Sequence, residues 1–169
     1  MAVIAVPTEN RKGEGRVALV PEIVSKLTKT EHTVRIQKGA GAQAHYPDKL
    51  YEEAGAKVVE ISSLYEGADF IFKINAPTDE EISQMPKGAT VVALLDLLSK
   101  PENGEKLKKA GLQGMALEAI PRTTLAQKMD VLSSMSSIAG YKAVLESATL
   151  LGKYFPMMMT AAGTIKPAT

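Results

Sequence analysis

The chain has 169 residues, 45% hydrophobic and 23% charged, the composition of a soluble globular protein long enough for one packed domain or one domain and part of another. Twenty Lys and Arg stand against nineteen Asp and Glu, so charge gives no case for nucleic acid or for an anionic membrane surface as a partner. With no cysteine and only His32 and His45, the chain offers neither a disulfide framework nor a thiolate or histidine zinc site, and no metal is expected.

Residues 2–6 are a short apolar run ended by Pro7, the pattern of a buried parallel strand. Charge follows this run rather than preceding it, so a strand and not a signal peptide is expected, and no window approaches the ~18 consecutive apolar residues of a membrane span, so direct membrane insertion is not expected. A polar loop, TENRKGEGR, leads to a helix that Pro21 opens and that runs to about residue 29. Residues 32–37, HTVRIQ, alternate and are β-branched, giving a second strand. A short helix at 47–53, a third strand at 57–60 and a helical turn at 61–65 come next. The fourth strand is 69–74, DFIFKI, and Thr78 with Glu81 three residues later is a capping box that opens another helix. Residues 89–95 form a fifth strand, 101–110 an amphipathic helix and 114–118 a sixth strand. Strands separated by helices in this way imply a doubly wound α/β fold, Rossmann-like or flavodoxin-like, with a mainly parallel sheet over residues 1–122.

From residue 123 the pattern becomes one long helix, 123–155, capped by Thr123 or Thr124 and stopped by Pro156. A long helix leaving a closed α/β unit reads as a connector, and residues 156–169, apolar and then loop-like, as a linker to a further domain. The alternatives are that the helix packs back on the sheet or on a second copy of the chain, as a non-catalytic module that dimerises would.

Within 121–141, PRTTLAQKMDVLSSMSSIAGY, a helical projection gathers Gln127, Asp130, Ser133, Ser134, Ser137 and Tyr141 on one arc and Val131, Leu132, Met135, Ile138 and Ala139 on the other. A solvated face normally carries Lys and Glu, whereas this one is short and uncharged apart from Asp130, so it suits either a ligand or close packing against another element. Arg122, just before the helix, adds a guanidinium able to hold a phosphate or carboxylate in two hydrogen bonds. Gly39, Gly41 and Ala44 spell G-x-G-x-x-A after a strand, with Glu60 ending the next, but His45, Tyr46 and Pro47 intervene before any helix, so the glycines are assigned to a tight turn rather than to a pyrophosphate. Arg16, Lys73 and Asp96 fall after the first, in the fourth and after the fifth strand, where open α/β sheets place ligands, so Arg16 and Lys73 are candidate holders of an anionic substrate group.

The runs RVALVPEIVSKL and FKINAP, the 121–141 block and FPMMMTAAGTIKPA together resemble the N-terminal part of the alanine dehydrogenase and nicotinamide nucleotide transhydrogenase family, over essentially the whole chain. The resemblance implies that this α/β domain is followed by a Rossmann domain carrying the main NAD(H) site. It further implies that Arg122, Gln127, Asp130 and Ser133 reach the nicotinamide end of NAD(H), with Gln127, Asp130 and Arg122 serving hydride transfer. Position 96 favours the transhydrogenase branch: an alanine dehydrogenase needs a catalytic histidine where this chain has Asp96, and an aspartate is normally ionised well below pH 7. Leu125 departs from the basic residue that many relatives carry before the Ala-Gln pair. On this branch the resemblance implies hydride transfer between NAD(H) on this component and NADP(H) on a partner component, coupled to proton movement through a membrane component. The protein would then be a homodimer, cytoplasmic and peripheral at the inner membrane through its partners, or on the matrix side in a mitochondrion. The other branch implies an amino-acid oxidoreductase that holds a substrate carboxylate on Arg16 and Lys73.

Overall fold

The apolar run at the start of the chain forms β1 (Val3–Val6) in the middle of a six-stranded sheet. The remaining strands are β2 (Thr33–Gln37), β3 (Lys57–Val59), β4 (Phe70–Asn75), β5 (Thr90–Leu94) and β6 (Gln113–Ala116). All pairings are parallel, in the order β3-β2-β1-β4-β5-β6. This doubly wound α/β sheet is the one expected, and its order reverses between β1 and β4, where open sheets of this kind form a crevice at the carboxyl ends of the strands. The computed structural model describes residues 1–168, which divide into one unit spanning Met1–Ile120 and a second from Pro121 onward.

Alternation along the strands sorts the first unit's core by face. Ala5, Ile71, Val91, Ala93 and Leu95 point to one side with Leu64, Met85 and Leu107, from α3 (Ile61–Leu64), the end of α4 (Asp79–Gln84) and α5 (Glu102–Lys109). Ile4, Val6, Val34 and Ile36 point to the other with Val24 and Tyr51, from α1 (Pro21–Lys29) and α2 (Asp48–Glu53). Each fully buried Val, Leu or Ile contributes about 1.5–3 kcal/mol of transfer free energy, so the helices are held mainly by these two layers. Pro21 occupies the first turn of α1, and the Thr78–Glu81 capping box forms, with Glu81 N donating to Thr78 Oγ1 at 3.3 Å and Thr78 N to Glu81 Oε2 at 2.8 Å.

The glycine sequence after β2 makes a turn. Gly39 has φ +77°, its amide donates to Asp48 Oδ1 at 2.8 Å, and only the three-residue 3-10 helix Ala42–Ala44 follows before His45 turns left-handed at φ 62°. Gly41 is there for space: a Cβ at this position would stand 2.6 Å from the Tyr46 carbonyl and 2.6 Å from Tyr51 Cε2. Tyr51 is itself fully buried and donates to the Leu19 carbonyl at 3.0 Å.

The second unit departs from expectation at both ends of its helix. The helix, α6, is Val131–Leu150, and neither Thr123 nor Thr124 caps it. Residues 121–129 instead form tight turns and the 3-10 helix Gln127–Met129, closed by Ala126 N to the Thr123 carbonyl and Met129 N to the Ala126 carbonyl. Asp130 adopts the extended conformation of an N-cap and accepts from the amides of Leu132 and Ser133 at 3.0 and 3.1 Å, which sets the start. Gln127 and the cap residue Asp130 are therefore outside the helix, and the arc drawn through them shrinks to Ser133, Ser134, Ser137 and Tyr141. Beyond Leu151, the expected linker, of which residue 169 lies outside the described residues, folds into the antiparallel hairpin β7 (Met158–Thr160) and β8 (Gly163–Ile165), with Met158 opposite Ile165. No helix among the described residues is long and apolar enough to cross a membrane.

Two glycines test this packing in opposite directions. Gly41→Ala should lower unfolding free energy in urea by about 1–3 kcal/mol, because the methyl meets backbone and a buried ring. Gly140→Ala, in α6 with nothing within 4 Å of the added carbon, should leave stability unchanged or raise it by up to about 1 kcal/mol.

Candidate functional site

Three groups of polar side chains carry the candidates. The first fills the crevice between the carboxyl ends of β1 and β4. Lys73 lies on the core face of β4 beneath α4, only 3% exposed, a placement that requires opposite charge close by. Glu81 supplies it at 2.6 Å from Nζ and Glu9 at 3.8 Å. Asn10 Nδ2 also donates to Glu81 Oε1 at 3.1 Å. Glu9, on the loop after β1, accepts from the amides of Ile74 and Asn75. Asn75 joins this network to the loop: its Nδ2 donates to Glu9 and Glu14, and its Oδ1 accepts from Arg11.

Arg16 grips Glu14 with two hydrogen bonds, Nε to Oε1 at 2.7 Å and Nη2 to Oε2 at 2.6 Å. The Arg16 guanidinium holds the Glu14 carboxyl well below the usual carboxylate range, at about 2, against the opposing effect of burial. The same contact raises Arg16 above its ordinary value. Both cations singled out as anion holders, Arg16 and Lys73, thus face carboxylates of this chain. Glu9, Glu14 and Asn75 were not singled out in the sequence. The only signal for the cluster was the lysine interrupting FIFKIN, together with a capping-box glutamate that has a second task.

The second group surrounds Asp96 at the end of β5. Asp96 has φ +56°, and its carboxylate meets Lys100 at 3.3 Å on the surface. Glu118 clamps the backbone on either side, accepting from Leu95 N and Leu97 N at 3.0 Å each, and Asn103 Nδ2 donates to the Leu95 carbonyl at 2.9 Å. The left-handed turn is therefore over-determined by its surroundings.

The third group is the start of α6. Besides the two cap bonds, Asp130 Oδ2 accepts from Ser133 Oγ at 2.6 Å. That hydroxyl, with the amides of Ser133 and Leu132 and the Arg122 charge adding, holds the Asp130 carboxyl below its ordinary value. Arg122, Gln127 and Ser133 are exposed and Asp130 is half-buried. The structure brings Asp130 and Ser133 into contact and places Arg122 near enough to act on Asp130 electrostatically. Gln127 stands on the 3-10 turn just before them. The result is a fixed carboxylate and helix start, with a guanidinium and a carboxamide presented beside it.

Residues 5–139 match the family described as alanine dehydrogenase/PNT, N-terminal domain. The chain is 41% identical over 166 residues to NAD(P) transhydrogenase subunit alpha of Haemophilus influenzae, covering 98% of this chain and 32% of that protein. It is 34% identical over 146 residues to alanine dehydrogenase 1 of Staphylococcus aureus, covering 86% of this chain and 38% of that protein. The crystal structure of transhydrogenase from Sinorhizobium meliloti superposes with a TM-score of 0.93 at 41% identity, covering 98% of this chain and 50% of that one. The chain thus spans between about a third and a half of the length of these relatives.

Glu14 makes the first crevice pH-sensitive. Its folded-state pKa, about 2, lies below its ordinary 4.5, so its stabilising contribution is complete above pH ~5 and is lost as pH falls toward 2. In acid unfolding followed by circular dichroism, Glu14→Gln should be less stable than the native chain at pH 7, and the gap should close between pH 5 and 2.

Proposed function

The chain belongs to the alanine dehydrogenase/PNT N-terminal domain family, and on that footing we propose that it forms the first part of the NAD(H)-binding component of an NAD(P) transhydrogenase. The observation that carries this reading is the start of α6, where Asp130 is locked by Ser133 and two backbone amides and Arg122 and Gln127, just before it in the chain, are exposed. Position 96 supports the same branch, since the residue there is an aspartate paired with Lys100 on the surface and not the histidine that the alanine dehydrogenase branch needs.

In this reading hydride passes directly from the dihydronicotinamide of NADH to the nicotinamide of NADP+, giving NAD+ and NADPH. No protein nucleophile is needed, because the cofactors carry the chemistry and the protein brings the two ring carbons to roughly 3–3.5 Å in a site free of water. Gln127 orients the carboxamide of NAD(H) or bridges the rings. Arg122 and Asp130 fix the segment and the cofactor, and Ser133 holds the Asp130 carboxylate or the carboxamide. The main NAD(H) site lies on a further domain, NADP(H) on a partner component, and proton movement in a membrane component to which this one attaches peripherally, on the cytoplasmic or matrix side. The NAD(H)-binding component pairs with a second copy, and these 169 residues alone are inactive. The polar start of α6 is then one wall of a site whose other walls come from further domains.

In the complete assembly, Gln127→Ala should slow single-turnover hydride transfer about 10- to 100-fold while leaving NADH affinity within a factor of about two. An unchanged transfer rate would remove Gln127 from the mechanism. The same assembly should show no NADH oxidation dependent on pyruvate and ammonia; such turnover would move it to the alanine dehydrogenase branch.

A further inference from the structure

Tyr65, the residue that ends α3, is packed into the core with Leu64, Ile71 and Met85 and is 5% exposed. Among the described residues its hydroxyl is the one buried side-chain polar atom with no hydrogen-bond partner in the protein. A hydroxyl withdrawn from solvent and left unmet is destabilising, and native interiors hold few of them. The surroundings of this one are charged. Burial pushes the Tyr65 phenol up, and the Glu81 and Glu9 carboxylates push it further, so both charges lie close to the ring although neither bonds to its oxygen.

Both carboxylates have acceptor capacity left. Glu81 Oε2 takes the Thr78 amide at 2.8 Å and Glu9 Oε1 the Ile74 amide at 2.6 Å, one bond each where a carboxylate oxygen can take two. The Lys73 ammonium, on a side chain 1% exposed, has donors left: it bonds Glu81 Oε1 at 2.6 Å, while Glu9 at 3.8 Å is beyond hydrogen-bond reach. A spare hydroxyl, a spare ammonium proton and two spare carboxylate lone pairs match the two acceptor and two donor positions of one water molecule. The two carboxylates outnumber the ammonium, so an anion is disfavoured at this position.

We infer that a single buried water molecule stands between Tyr65 Oη and the Glu81 and Glu9 carboxylates, accepting from the phenol and from Lys73 and donating to the carboxylates. It makes Tyr65 a member of the crevice network and ties the end of α3 to α4 and to the loop after β1. The inference rests on the first unit alone and is independent of the cofactor chemistry proposed for residues 122–133.

A high-resolution crystal structure of the 169-residue chain and thermal unfolding of Tyr65→Phe test it together. The crystal should show one ordered water within ~3.2 Å of Tyr65 Oη and of a carboxylate oxygen of Glu81 or Glu9. A hydroxyl without such a water, or one bonded directly to a protein atom, overturns the inference. Tyr65→Phe keeps the ring and removes only the oxygen. Loss of a hydroxyl that meets nothing leaves Tm unchanged or higher, whereas loss of one that holds the water should lower Tm by about 2–4 °C. A Y65F chain that melts at or above the native temperature overturns the inference as well.

Discussion

Burying an ammonium at the end of β4 is unfavourable unless carboxylates are brought to it, and much of the upper edge of the sheet follows from that requirement. Lys73 draws in Glu81 from the first turn of α4 and Glu9 from the loop after β1. Glu81 simultaneously caps its helix, so the position of α4 and the charge balance of the crevice are one constraint. Asn75 extends the network to Glu14, and Glu14 to Arg16, so the polar part of the loop between β1 and α1 is tied down by hydrogen bonds, while Val17 and Leu19 anchor its end in the core. In the crevice where a doubly wound sheet usually receives its ligand, Lys73 and Arg16 here pair with carboxylates of the chain itself.

The turn at Gly39–Ala44 has glycines at the expected spacing, yet one serves a left-handed turn and another makes room for Tyr51, and no α-helix opens from them. Anion-binding helix starts need free amides aimed at the ligand. The nicotinamide contacts proposed above instead lie at the start of α6, where Asp130 is fixed by Ser133 and the Leu132 amide and Arg122 and Gln127 are exposed.

The strands were legible because short apolar runs bounded by Pro, Gly and Asp have few other uses in a chain with no membrane span, and Pro21 and the Thr78–Glu81 box marked helix starts by local chemistry alone. The start of α6 was not legible from composition, since Thr123, Thr124 and Asp130 are all acceptable caps. What selects Asp130 is that its carboxylate takes two amides and the Ser133 hydroxyl at once. The hairpin escaped for the opposite reason: its turn, Ala161-Ala162, contains none of the residues that announce a two-residue connection. Lys73 was visible as an oddity in an apolar strand, but its partners come from other elements, and only the folded chain shows that its anion is Glu9 and Glu81 rather than a ligand.

The central claim, that the first 120 residues are a scaffold whose own ligand-like positions are occupied while residues 122–133 present the nicotinamide contacts, is tested most directly by amide chemical-shift mapping of the 169-residue chain with NADH at millimolar concentration. The account predicts shifts confined to the segment from Arg122 to Ser133, with the amides of Gly39 to Ala44 and of Ile74 and Asn75 unmoved. Shifts centred on Gly39 to Ala44, with none in the segment before α6, would contradict it.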